Sequence, residues 1–212
     1  FVQDVRPFEE MKLRMLNGAH SMLAYAGFLS GRHFVRDVMA DPALSARVAQ
    51  YLAAAASTLT ALNGVDLNAY ARELMRRFAN PHLAHETYQI AMDGSEKMPQ
   101  RVFAAARVAL HRRQPLDPFA FATAAWLRYT LGRTDDGVVY DLRDPREAAL
   151  KPGAHDGQTA ESLVARLNRL PGIMPADLAS DAGWNRAVQS HLHRMLEAGM
   201  ASAIASGDGP GS

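Results

Sequence analysis

The sequence predicts an all-α fold, a single multi-helix domain over residues 1–205, and three observations carry that expectation. Apolar residues recur at helical spacing along most of the chain, and convincing alternating strand patterns are few. Proline, glycine and asparagine separate the periodic stretches into helix-sized pieces. The 212 residues, 48% of them hydrophobic, can bury one large core, and no internal repeat or long linker demands a domain boundary.

Taken in order, the first helix starts after Pro7, a residue suited to the first turn, with Glu9 and Glu10 at its positive end. It runs to about Ser30 and stops at Gly31, which suits a left-handed C-terminal position. Further helices are expected over residues 43–62, from an Asp66 cap to Phe78, and from Asn80-Pro81 to Met92. A turn at Asp93-Gly94-Ser95 precedes a helix over residues 99–113, and Pro115 to Pro118 sets off the apolar stretch 119–131. Residues 132–144 read as irregular or short extended structure, because Thr134-Asp135-Asp136-Gly137 is turn chemistry followed by Val138-Val139-Tyr140. Helical periodicity returns over residues 159–170 and 181–205, and the glycine- and serine-rich tail 206–212 is expected to be disordered.

Composition removes several function classes. With 23 basic and 22 acidic residues the net charge is +1, which provides no field for steering onto nucleic acid. The absence of cysteine excludes disulfide frameworks, thiol catalysis and cysteine-ligated zinc. No apolar run approaches the length of a membrane span and residues 1–10 do not read as a signal peptide, so a cytoplasmic setting is expected. The chain begins with Phe1 rather than methionine, which reads as a piece of a longer protein. Only three lysines occur, Lys12, Lys97 and Lys151. Each is worth attention, because burial can bring a lysine to lose its proton at accessible pH, whereas arginine stays charged.

Lys12 stands on the most informative stretch. With about 100° per residue on a helix and Lys12 at zero, His20 falls near 80° and Asn17 near 140°. Leu13, Leu16, Leu23 and Ala24 share that arc, so the face is expected to point inward. Polar groups on such a face must satisfy one another or line a cavity, since each unpaired one costs about 1–3 kcal/mol. The chemistry they suit is proton transfer at a hydroxyl. A desolvated lysine acts as general base or acid, the Asn17 amide donates to an oxygen gaining negative charge, and His20 holds a hydroxyl. That set would interconvert an alcohol and a ketone without a metal, and lacks a hydride carrier.

Longer motifs contain these residues. Lys12-Leu-Arg-Met-Leu-Asn17-Gly-Ala-His20-Ser, continuing Leu23-Ala-Tyr-Ala-Gly27-Phe-Leu-Ser-Gly31, resembles the hallmark of the mannitol dehydrogenase family, polyol-specific long-chain dehydrogenases that include fructuronate reductases and mannitol 2-dehydrogenases. The resemblance continues through Asp93-Gly-Ser-Glu-Lys97-Met-Pro-Gln-Arg101 and Ala124-Ala-Trp126-Leu-Arg-Tyr129. It implies a helical C-terminal domain of the 6-phosphogluconate dehydrogenase C-terminal-like type and a metal-independent, NAD- or NADP-linked oxidoreductase. It also implies that Lys12 is the general acid/base, with Asn17 and His20 stabilising the oxyanion and orienting the substrate. Within the family the wording is most similar to fructuronate reductases, which interconvert D-mannonate and D-fructuronate, with mannitol and other polyols as the alternative substrates.

Family members carry a Rossmann domain ahead of the helical one, and this chain has no G-x-G-x-x-G between a strand and a helix. The expectation is therefore a substrate domain whose partner is its own N-terminal Rossmann domain, with the cofactor bound mainly there and the isolated domain inactive. Lys97 and Arg101 are the candidate substrate-binding cations, fit for a sugar-acid carboxylate, with pairing of Lys97 to Glu96 or Asp93 as the alternative. His82 and His85 share a predicted helix face without a third metal ligand, and His191 and His193 point to different sides. Arg76-Arg77 and Arg112-Arg113 read as cations at helix C-termini, and Trp126 and Tyr129 as core. A non-catalytic helical module for assembly or interaction is the reading from another class. A Rossmann-coding segment in frame upstream of Phe1 would favour the enzyme.

Overall fold

The computed structural model describes residues 5–151 and 158–205, so the tail expected to be disordered lies outside the described residues. The first expected helix is a continuous rod built from α1 (Arg6–Met11), a π-helical turn over Lys12–Asn17, and α2 (Gly18–Leu29). It ends as the sequence indicated. Gly31 adopts φ 76° while the Arg32 amide donates to the Gly27 carbonyl at 2.8 Å, the bond pattern of a glycine-terminated helix.

The short helix α3 (Val35–Ala40), which periodicity did not indicate, leads into α4 (Pro42–Ser57). Between them the Asp41 carboxylate accepts from the amides of Ala43 and Leu44. Helix α5 (Leu67–Phe78) begins at the predicted Asp66 cap. The helix expected from Asn80 to Met92 shrinks to α6 (Thr87–Ala91). The backbone ahead of it is claimed by another partner: Val35 N donates to His85 O at 3.0 Å and Thr87 N to His33 O at 2.9 Å, around an antiparallel bridge of Phe34 and Glu86. Local propensity at 80–86 yields to that pairing.

A second rod follows, comprising α7 (Gly94–Met98), a π-helical turn over Pro99–Phe103, and α8 (Ala104–His111). Helix α9 (Asp117–Tyr129) is next, and residues 132–144 are irregular as expected, with an isolated antiparallel bridge between Arg133 and Val139. The chain closes with α10 (Glu147–Leu150), α11 (Ala160–Arg169), α12 (Ala176–Ser180) and α13 (Ala182–Ala205). Helix α13 breaks at Gly199, where φ is 80° and the Asp135 carboxylate accepts from the Met200 amide at 2.7 Å.

Helices α2 and α9 form the centre. Every residue of α2 except His20 and Phe28 is buried, as is α9 from Phe119 to Tyr129. A helix apolar on all sides needs covering on all sides, and α4, α6, α7 and α13 supply that cover. Trp126 and Tyr129 are core residues, as their spacing suggested. No helix among the described residues is long and apolar enough to cross a membrane.

Candidate active site

The π-helical turn decides how the candidate residues are presented. Gly18 N donates to Leu13 O, five residues back, so this turn is wider than an α-turn. On a regular helix Lys12 and Asn17 would lie about 140° apart. Across a five-residue turn they stand nearly one above the other, and His20 follows Asn17 by three residues on α2, on the same face. The three polar side chains form one stripe.

Only the His20 end of that stripe turns toward the interior. Met15, Gly18, Ala19 and Met22 take the core side, and Lys12 is exposed while Leu13, Leu16, Asn17 and His20 are half-buried. The expected burial of Lys12 is thus corrected, because uniform α-helical arithmetic assigned the wrong side once the turn widened. Neither Lys12 nor Asn17 makes a side-chain hydrogen bond or ion pair among the described residues. Both present unused donors on the open face of the domain.

The second motif is brought to the first by close backbone approach. A Cβ on Gly18 would come within 2.9 Å of Arg101 O and closer still to the Tyr51 hydroxyl, which donates to Arg101 O at 3.2 Å. The two π-helical turns meet there. The Arg101 guanidinium donates to Ser21 Oγ at 3.3 Å, its Nε is buried without a partner, and no carboxylate pairs with it among the described residues. Lys97 is differently placed. Its ammonium donates to Met92 O at 2.6 Å and Ile90 O at 3.3 Å and lies 3.6 Å from Asp93, the pairing that stood as the alternative to ligand contact. Burial, and then the nearby Arg101 charge, push the Lys97 ammonium below its ordinary value. Ser95 fixes the turn ahead of it by donating from N and Oγ to the Asp144 carboxylate at 2.7 and 2.6 Å.

His20 sits with its ring 4.6 Å from Phe78 and 6.4 Å from His85. Burial first, and then His85, Arg101 and Arg77, lower its pKa from 6.5 to about 4. The imidazole is therefore neutral at working pH and can both donate and accept. Between about pH 6.5 and 4 the unfolded chain binds more protons at this site than the folded one, so stability falls as pH falls through that window. Thermal unfolding between pH 7 and 4 is expected to show a smaller loss for His20→Gln than for the natural sequence. Equal losses would contradict a neutral, desolvated His20.

The remaining candidates separate clearly. His85 faces His20, while His82 is exposed and its amide donates to Asn80 Oδ1 at 3.0 Å. His191 is buried, 2.7 Å from Asp117, whereas His193 pairs on the surface with Glu197 at 3.1 Å. Arg112 donates to the Ser57 and Thr58 carbonyls at the end of α4. Arg77 stands in the last turn of α5, as its reading as a helix-end cation had it, and it also flanks His20 without a carboxylate partner among the described residues. Sequence carried no signal for the His20, His85 and Arg77 grouping, because it depends on the bridge at Glu86.

Comparison with known proteins places this geometry. Residues 4–196 match the mannitol dehydrogenase C-terminal domain model. D-mannonate oxidoreductase of Escherichia coli (strain K12) is 42% identical over 206 residues, 97% of this chain and 42% of that protein. Mannitol 2-dehydrogenase of Aspergillus terreus is 32% identical over 200 residues, 94% of this chain and 39% of that protein. Among solved structures, the Pseudomonas fluorescens mannitol 2-dehydrogenase ternary complex with NAD and D-mannitol superposes with a TM-score of 0.90 at 28% identity, covering 97% of this chain and 42% of that one. The chain spans about two-fifths of the length of these relatives.

Proposed function

The chain belongs to the mannitol dehydrogenase C-terminal domain family, and on that premise we propose that it is the substrate-binding and proton-transfer part of an NAD- or NADP-linked oxidoreductase interconverting a secondary alcohol and a ketone. The substrate assigned is a sugar acid, D-mannonate with D-fructuronate as its ketone, in the manner of fructuronate reductases working in the cytoplasm. The observation that carries the reading is the single stripe of Lys12, Asn17 and His20, with the side chains of the first two making no hydrogen bond or ion pair among the described residues. It is supported by the D-mannonate oxidoreductase at 42% identity.

In alcohol oxidation Lys12 Nζ takes the hydroxyl proton, and in ketone reduction it returns one. Asn17 donates to the oxygen as negative charge builds on it, and neutral His20 orients the same or a neighbouring hydroxyl. Arg101, held by Ser21 with an unpaired Nε, lies on the substrate side, and Lys97 holds the 90–93 turn beside it. What NAD or NADP supplies when bound is hydride acceptance and return. The chain has no glycine-rich phosphate loop, and its half-exposed stripe suits a surface against which a separate Rossmann domain, the proposed partner, presents the cofactor. Burial of Lys12 is then completed by that partner.

The test is the initial rate of the full-length protein, this chain joined to the portion its relatives carry beyond it, on D-mannonate and on mannitol. Faster NAD(P)-linked oxidation of D-mannonate is expected. A strong preference for mannitol would replace the sugar-acid assignment with the mannitol 2-dehydrogenase reading, which the 32% identical relative favours.

A further inference from the structure

The charges around His20 are one-sided. The charged groups acting most strongly on it are His85, Arg101 and Arg77, and no carboxylate pairs with any of the three among the described residues. They come from three separate elements: Arg77 from the last turn of α5, His85 from the segment ahead of α6, and Arg101 from the π-helical turn after α7. Two guanidiniums and an imidazole gathered beside one ring, none of them in an ion pair among the described residues, leave a surplus of positive potential there, with Asp93 acting on Arg101 from its own turn. The gathering is held in place rather than accidental. His85 O accepts from Val35 N at 3.0 Å within the bridge at Glu86, which fixes the His85 backbone against the start of α3.

We propose that Arg77 and His85 form the carboxylate subsite that makes the enzyme specific for a sugar acid over a neutral polyol, an inference that rests on the proposed function and deepens it. The crevice bounded by His20, Arg77, Phe78 and His85 measures about 10 Å³, room for a single water and too small to admit a carboxylate. The anionic group is therefore received at its mouth, where the exposed Arg77 and His85 side chains reach it and the His20 ring forms the floor. Arg77 presents a planar fork that matches two carboxylate oxygens, and His85 adds a donor from the opposite wall. Lys97 is less suited to this task, since its ammonium already serves Met92 O, Ile90 O and Asp93. Arg101 stays with Ser21 on the hydroxyl side of His20.

Steady-state kinetics of the full-length protein test this with Arg77→Gln, His85→Gln and Arg77→Lys. Both positions are exposed, so the variants keep the fold. Arg77→Gln is expected to raise KM for D-mannonate by about ten- to a hundredfold with kcat changed far less, because a charge-assisted contact made equally in ground and transition states is lost. Arg77→Lys recovers part of the loss, and His85→Gln shows a smaller rise in KM. KM for mannitol, which offers no carboxylate, stays within about twofold in all three. Turnover of D-mannonate by the natural sequence with an unaltered KM in Arg77→Gln overturns this inference and leaves the proposed function standing. Equal rises in KM for both substrates also overturn it. A natural sequence that oxidises mannitol and not D-mannonate, or neither, overturns the sugar-acid reading and the subsite together.

Discussion

In the full-length protein, Lys12→Ala is expected to lower kcat for alcohol oxidation by about a hundredfold or more. The side chain stands at the start of the π-helical turn, exposed and without an ion pair, so its loss removes the proposed proton acceptor and disturbs no packing. Substrate affinity changes less, because Asn17, His20 and Arg101 keep their places. Lys12→Arg fails as well, since a guanidinium keeps its proton and its planar fork does not occupy the ammonium position. Circular dichroism and thermal unfolding of both variants are expected to match the natural sequence, which separates lost chemistry from lost structure. Near-normal kcat in either variant would assign proton transfer to another group.

The second large effect is structural. Gly18→Ala places a methyl group 2.9 Å from the Arg101 carbonyl and against the Tyr51 hydroxyl. Tyr51 is fully buried in the core and the carbonyl belongs to a helical rod, so neither can move aside cheaply. Helix propensity alone favours alanine by up to about 1 kcal/mol. The clash outweighs that gain, because overpacking a tight core costs typically 1–3 kcal/mol. We expect a net loss of stability in denaturant unfolding, together with reduced activity, since the contact joins the turn that presents Lys12 to the turn that presents Arg101. Gly31→Ala makes a useful contrast: it meets no atom within 4 Å, and any loss there comes from its φ of 76° alone.

The outline of this fold was legible wherever local chemistry and tertiary packing agree. Gly31, Asp66 and Thr159 mark ends that the structure keeps, and the largely apolar stretch after Pro118 becomes the buried α9. Legibility failed where long-range contacts overrode propensity. Residues 80–86 carry helix-start signals, yet their backbone pairs with residues 33–35. The candidate residues Lys12, Asn17 and His20 were legible as types and in their order. Their orientation was not, because a widened turn leaves no mark in residue spacing, and it leaves Lys12 exposed with Asn17 and His20 half-buried rather than all three in the core. The grouping of Arg77 and His85 about His20 was hidden for a different reason, since the His85 segment reaches His20 only through the long-range bridge at Glu86.

The most direct test of proton transfer through Lys12 is the pH dependence of kcat for alcohol oxidation, measured side by side for the natural full-length protein and for Lys12→Ala. His20 does not titrate until about pH 4, so it adds no limb near neutrality. Activity of the natural protein is expected to rise with pH as the general base loses its proton, and the residual activity of Lys12→Ala is expected to lack that limb. A limb of unchanged position and height in a folded Lys12→Ala protein would contradict the account.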